Sequence, residues 1–506
     1  MRNIIRFLFR RIVIVSLLLL MQFVVLFLLL SRFAEFAPWY GVIMTAASLL
    51  LSIVIVSQDR DPAYKIAWII PILSVPLFGV TLYLILNGNV NSRRQHRSMR
   101  RMEHVMHEML LQDDHILDEL QSESSMAAAQ AHYLVTSAGC PVYRSTKTDY
   151  FPSGETCFAR MLEAVEQAQH YIYLEYFIIQ PGLLWDQMLA ALERKAAQGV
   201  TVRILYDDFG CITKIPSGYF RRLNEKGLCC RAFNPFLPVV SPRLNNRDHR
   251  KLLIVDGRIG FTGGMNLADE YINEVTLHGH WKDAGIRLEG DAVWSMTVMF
   301  LSMWDCVTHE LPDCLPTAAE PPETAGYVQP FTDGPLTGEC VSAAVFLNMI
   351  SRAQKSVYIM TPYLILNSAM QSALCVAAKS GVDIRIITPG IPDKRYVYAV
   401  TRANYRELLD AGVRIYEYAP GFIHSKVICV DMEYAVVGTI NMDFRSLYLH
   451  FEDGVFLYRT DSVHQVMDDF TDTLPLCREI LPERYRERSL LTRAVETALR
   501  VFAPLM

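Results

Sequence analysis

Three uncharged apolar runs open the chain: Ile12 to Leu30, Trp39 to Val56 and Ile66 to Leu86. Each is long enough to cover the hydrocarbon core of a bilayer, so the pattern predicts a membrane anchor over residues 1–90 with two to three transmembrane helices. From 91 to 135 the chain turns charged, with Met and His interspersed, which predicts a basic helical connector. Beyond it, short apolar strands alternate with helices that stop at glycine. Tyr171-Ile-Tyr-Leu-Glu-Tyr-Phe, a helix ending at Gly199 and the strand Val200-Thr-Val-Arg-Ile-Leu form one such series. Val357-Tyr-Ile-Met-Thr-Pro-Tyr, a helix ending at Gly381 and Val382-Asp-Ile-Arg-Ile-Ile form another, and later helices in the two series stop at Gly227 and Gly412. This alternation predicts α/β units around a largely parallel sheet, written twice: a first half over 136–311 and a second over 326–482. The Pro/Thr/Glu-rich stretch at 312–325 reads as the linker between them. A last segment, 483–506, places Leu491, Val495, Ala498 and Phe502 at helical spacing, with Arg488, Arg493 and Arg500 among them. This amphipathic helix fits either the membrane interface or a seat on the protein's own core.

Composition sharpens the N-terminal reading. Of 506 residues, 51% are hydrophobic, and the excess sits in the first 90. Arg2, Arg6, Arg10 and Arg11 also fit the n-region of a signal peptide, but the apolar run behind them is long and two more follow. Those arginines argue for a cytoplasmic N-terminus, and Arg93, Arg94, Arg97, Arg100 and Arg101 argue equally for cytoplasm after the third run. Three full crossings cannot satisfy both, so one segment is re-entrant or interfacial, or one cluster serves anionic lipid headgroups. The net charge of −5 speaks against nucleic acid as a partner. Eleven scattered cysteines without a CxxC pair read as reduced thiols, which places the catalytic domain on the cytoplasmic side of a multi-pass membrane protein.

The chemistry lies in a phrase that occurs twice. His249, Lys251, Asp256, Gly263 and Asn266 are echoed at identical spacing by His424, Lys426, Asp431, Gly438 and Asn441. Only 13 histidines exist in the chain, so the repeat is not accidental. Residues i and i+2 of a strand share a face, so each copy presents an imidazole beside an ammonium. Asp256 and Asp431 complete the motif and are counted with its catalytic set. Their odd spacing nevertheless turns them to the opposite face, which predicts a structural part. A phosphodiester anion repels nucleophiles, and Lys251, Lys426, Asn266 and Asn441 supply donors to bind its phosphate. No His/Cys group at metal spacing and no carboxylate cluster is visible, so neither a metal nor another cofactor is expected. His280-Trp-Lys282 also spells HxK, without the rest of the phrase.

The doubled HxKx4D phrase with its Gly-Gly/Thr-x-Asn tail resembles the phospholipase D superfamily over most of the chain after residue 135. The apolar Ala67-Trp-Ile-Ile-Pro71 and Pro76-Leu-Phe-Gly79, with Thr361-Pro-Tyr363 and Val437-Gly-Thr-Ile-Asn-Met-Asp-Phe-Arg-Ser446, make it most similar to the bacterial cardiolipin synthase family. The resemblance implies two phospholipase D-like halves about a pseudo-two-fold axis, both His-Lys pairs meeting in one cleft, and no cofactor. It implies transfer of a phosphatidyl group from one phosphatidylglycerol to another through a phosphohistidine, with His249 as nucleophile and His424 as acid/base. Asp283 and Glu452 are implied as the groups orienting the histidines, and phosphatidylglycerol, other anionic phospholipids and the membrane as partners. One departure stands out: His450, where many such synthases carry Asn. A hydrolytic phospholipase D or a phosphatidylserine-type transferase would use the same residues with another acceptor.

Overall fold

The computed structural model describes residues 39–505 except 60, 88–92, 236–245, 313–323 and 336–338, together with scattered positions between 20 and 32. Most of the first apolar run, and most of the linker, thus lie outside the described residues.

Among the described residues, seventeen strands run in chain order: β1 (Thr146–Phe151), β2 (Tyr171–Tyr176), β3 (Thr201–Asp207), β4 (Cys229–Phe233), β5 (Leu252–Val255), β6 (Ile259–Gly263), β7 (His280–Lys282), β8 (Gly285–Gly290), β9 (Tyr327–Asp333), β10 (Ser356–Met360), β11 (Asp383–Pro389), β12 (Arg414–Tyr418), β13 (Gly421–Ile423), β14 (Val427–Val430), β15 (Tyr434–Gly438), β16 (Glu452–Tyr458) and β17 (Cys477–Glu479). The first sheet is ordered β1-β8-β6-β5-β2-β3-β4. The second, β9-β16-β15-β14-β10-β11-β12-β17, repeats that order with one strand added at the far edge. The chain is therefore an α/β protein of two like halves.

The sheets are less parallel than the sequence predicts. β2, β3 and β4 pair in parallel, as do β10, β11 and β12. The motif strands β5 and β14 run antiparallel to both neighbours. The pairing with β6 and β15 comes from a tight turn at the end of each motif strand. Asp256 and Gly257 take φ of 54° and 62°, Asp431 and Met432 take 55° and 58°, and paired left-handed residues fold a strand straight back on itself. Asp256-Gly257 was the local signal for this hairpin.

A helix at Val293–Thr308 is buried along almost its whole length, and Met299, Phe300 and Met303 join a core shared by both sheets. The connector forms helices at Arg93–Met109, Asp114–Glu123 and Ser125–Ala138; the first packs on the Val293–Thr308 helix, and Arg101 pairs with the buried Asp305.

The N-terminal anchor differs from the expectation of two to three transmembrane helices. No helix among the described residues is long and apolar enough to cross a membrane. The second run forms a 17-residue helix, Tyr40–Val56. The third is broken into helices of 13 and 12 residues, Pro62–Ser74 and Pro76–Asn87. Pro76 disfavours helical geometry at the residue before it, and Val75 adopts φ −135°, ψ 77°. The arms then pack together, with Trp68 edge-on to Tyr83 at 5.3 Å. At Gly79 any side chain would collide with the backbone at Pro71 and Ile72.

The C-terminal helix, Leu490–Phe502, is seated on the protein itself, against the Arg395–Ala411 and Pro62–Ser74 helices. Arg500 holds Glu407 at 3.0 Å, while Leu490, Leu491 and Val495 remain exposed.

Candidate active site

Each motif enters its strand after a short segment that pairs with the opposite half. The His424 segment, β13, lies parallel to β7, and the His424 amide donates to the Lys282 carbonyl at 2.6 Å. In the mirror arrangement Asp248 bridges Phe451 in parallel, and the His249 amide donates to the Phe451 carbonyl at 2.9 Å. Asp283 follows Lys282, and Glu452 follows Phe451. The backbone pairing thus delivers to each imidazole a carboxylate from the other half. His249 Nδ1 lies 2.9 Å from both Glu452 oxygens, and His424 Nδ1 lies 2.7 Å from Asp283 Oδ2.

A carboxylate can only accept, so Nδ1–H is the donor in both pairs and each Nε2 keeps its lone pair. All four groups are buried. Burial pushes the imidazoles down, His249 to about 3 and His424 to about 4, against the pull of their carboxylates. Burial pushes Glu452 and Asp283 up, but the histidines, the lysines and the hydrogen bonds they accept together hold both below the usual carboxylate range. The site without substrate is therefore two neutral imidazoles on two carboxylates.

Lys251 and Lys426 are 1% and 4% exposed, and each turns its ammonium to the carbonyl of its own histidine. Burial lowers Lys251 to about 8 and Lys426 to about 7, the latter also repelled by Lys251. Both carboxylates act on both lysines, so the two motifs share one electrostatic field. An arriving phosphodiester anion relieves the repulsion and restores full charge to both lysines.

The remaining motif residues divide. Asn266 is buried, its carbonyl oxygen accepting from the Ile178 amide at 3.0 Å and its amide donating to Tyr271 Oη at 2.7 Å. Asn441 is buried, and its Oδ1 has no hydrogen-bond partner. Asp256 and Asp431, counted with the catalytic set in the sequence, bond to backbone amides and not to the histidines or lysines. Asp256 accepts from the amides of Gln169, His170 and Tyr171 at 2.7–2.8 Å, and Asp431 from Gln354, Lys355 and Ser356 at 2.7–2.9 Å. Each ties its hairpin turn to the start of the central strand, away from the histidine at the strand's other end. His280 donates its segment to the β7 pairing, and its Nδ1 lies 3.0 Å from Tyr418 Oη, outside the imidazole–carboxylate pairs.

The sequence did not show which side chains surround the two imidazoles. Phe177 stands edge-on to His249 at 5.0 Å, and Trp281 lies 5.1 Å from His424 while its Nε1 donates to Asp283 at 3.3 Å. Thr439 donates to Glu452. Gly264, its counterpart in the first motif, has no room for a side chain, because a Cβ would fall on the Asp283 carboxylate. His450 brings its ring to 5.5 Å from that of His249.

Comparison with known proteins places this geometry. The family described as cardiolipin synthase, PLD-like domain, matches residues 161–276 and 346–474, and a phospholipase D-nuclease N-terminal family matches 46–86. A cardiolipin synthase of Geobacillus kaustophilus is 34% identical over 481 residues, covering 92% of this chain and 94% of that one. The chain belongs to the cardiolipin synthase family. Cardiolipin synthase 2 of Bacillus anthracis is 35% identical, covering 91% of this chain and 90% of its own length. An uncharacterized protein of Streptococcus mutans is 40% identical, covering 89% and 98%. Among solved structures, phosphatidylserine synthase of Haemophilus influenzae superposes with a TM-score of 0.52 at 15% identity, covering 71% of this chain and 93% of that one, a likeness of fold. Membership in this family makes the chain a phosphatidyltransferase.

Proposed function

We propose that the chain joins two phosphatidylglycerols into cardiolipin and glycerol at the composite site of both motifs. The observation that carries this reading is the exchange of carboxylates: each imidazole is fixed as a neutral Nδ1–H tautomer by the opposite half, with a nucleophilic Nε2. Lys251 and Lys426, with Asn266 and Asn441 as further donors, bind the phosphate. His249 Nε2 attacks phosphorus, the P–O bond to glycerol breaks, and the departing alkoxide takes a proton from His424, charged once the anion is bound. The terminal hydroxyl of a second phosphatidylglycerol then gives its proton to His424 Nε2 and attacks phosphorus. The P–N bond breaks and cardiolipin leaves. One phosphodiester replaces another, so no nucleotide is consumed.

Three observations support a site working at a lipid surface: the apolar Tyr40–Val56 helix, the two-armed hairpin behind it, and the exposed leucines of the C-terminal helix. The hairpin arms, each about 18–20 Å long at 1.5 Å per residue, suit a wedge in the cell membrane. The domain divisions at 90, 135, 311, 325 and 482 serve as boundaries for truncation on this reading.

The full-length enzyme is tested in vesicles containing labelled phosphatidylglycerol. Cardiolipin and glycerol in equal amounts are expected, and phosphatidic acid as the main product overturns the transfer reading. His249→Ala and His424→Ala each lower turnover by at least ~1000-fold. Trapped labelled phosphate on His249 in His424→Ala, and none on His424 in His249→Ala, assigns the nucleophile.

A further inference from the structure

Pseudo-symmetry sets His450 opposite Trp281: Trp281 stands two residues before Asp283, and His450 two before Glu452. Each packs its ring against the imidazole that its carboxylate serves, 5.1 Å for Trp281 on His424 and 5.5 Å for His450 on His249. The two differ in what they do with their nitrogens. Trp281 Nε1 donates to Asp283. His450 has both ring nitrogens buried and neither one hydrogen-bonded, Nδ1 standing 3.8 Å from Glu452 Oε1. A buried imidazole without a partner forfeits the hydrogen bonds it had in water, which is costly unless something else fills the place. Here the neighbours are another imidazole and a carboxylate: ligand atoms of His249, His450 and Glu452 all lie within 4.8 Å of one another.

We propose that His249, His450 and Glu452 form a binding site for a divalent transition-metal ion of zinc type, and that occupancy shuts the enzyme off. Two imidazoles and one carboxylate make a ligand set that zinc favours, and magnesium and calcium, which seek oxygen, do not. Ligands about 2.0–2.2 Å from the ion stand roughly 3.4 Å apart in a tetrahedron. The 3.8 Å already present between His450 and Glu452 needs little closing, and no hydrogen bond holds the His450 ring back. Thr439 donates to the second Glu452 oxygen and steadies the carboxylate as a ligand. The fourth position is open to water or to a phosphate oxygen.

The consequence for His249 follows from proton balance. Its Nδ1 faces Glu452, so the ion replaces the Nδ1 proton, which moves to Nε2 of the same ring. Nε2–H has no lone pair for phosphorus. No bond to substrate forms, and chelating the ion restores the original tautomer. The first half has no equivalent, because an indole cannot serve as a ligand. Lys251 is the counterweight: its charge beside the site opposes a divalent ion, so occupancy competes with the charged lysine as well as with substrate.

The binding part stands on geometry alone, while the inhibition part rests on the transfer reaction proposed above. Full-length enzyme in detergent is titrated with Zn2+ against a chromophoric chelator. One ion per chain is expected, weakened by at least ~10-fold in both His450→Asn and His450→Gln. In phosphatidylglycerol vesicles, Zn2+ inhibits the wild type reversibly on adding EDTA, Mg2+ at equal concentration does not, and both variants need at least ~10-fold more Zn2+ for half inhibition, each relative to its own metal-free rate. Binding or inhibition that is unchanged in both variants, or matched by Mg2+, overturns the site. An enzyme without transferase activity leaves the chelator titration to decide the binding part.

Discussion

At the scale of residues, the chemistry depends on groups that burial has pushed from their ordinary ionisation. Lys426, lowered to about 7 by burial and by Lys251, is charged below that value and neutral above it. Attraction for the phosphodiester is therefore present in acid-to-neutral solution and lost as pH rises through about 7 to 8. We expect kcat/KM, which reports the free enzyme, to fall on that alkaline limb, while kcat holds to higher pH because the bound anion keeps the lysines charged. Lys426→Arg stays charged throughout, so the part of the limb near 7 disappears and only the Lys251 part near 8 remains, even as kcat drops with the altered geometry. A limb still near 7 in that variant would sink the assignment. Much of this residue set was legible, because a motif repeated at fixed spacing is read directly from the chain. Asp283 and Glu452 came only through family resemblance, since nothing in Trp281-Lys-Asp283 or Phe451-Glu452 points to a histidine 141 or 203 positions away. His450 was visible as a departure in the sequence, but its place against His249 was not.

At the scale of elements, short pairings carry the precision of the site. β7 and β13 are three residues each, yet they set the distance between His424 and its carboxylate. The same logic explains the glycine pair in the first motif copy. Gly264 is needed for closeness, with Asp283 lying where a side chain would begin. Gly264→Ala should displace the carboxylate and lower turnover by ~100-fold or more, while overpacking lowers stability by only ~1–3 kcal/mol. A variant with normal turnover and a normal melting temperature would show that the contact is dispensable. The elements also show where sequence periodicity misleads. Residues 66–86 read as one apolar run because hydropathy does not register a break between Ser74 and Pro76; backbone geometry does. The predicted parallel sheet failed for a related reason. Strand–helix alternation describes β2, β3 and β4 correctly, but the antiparallel β5 and β6 depend on two left-handed residues at Asp256-Gly257.

At the scale of the whole molecule, the halves are bound by function as well as by packing. Neither half holds a complete imidazole–carboxylate pair of its own. A mixture of His249→Ala and His424→Ala chains should therefore recover no activity, because every chain still lacks one histidine in its composite site. Recovery to a sizeable fraction of wild type, measured at several mixing ratios, would mean that chains exchange halves. The crossing also says something about descent. A single ancestral half, carrying one histidine and one carboxylate, could not have joined them to each other; it could only have lent its carboxylate to a second copy and borrowed that copy's in return. Fusion of two such genes would have turned a meeting between molecules into a permanent arrangement. Only then could the two copies drift apart, one setting a tryptophan and the other a third histidine against the imidazole of the opposite half.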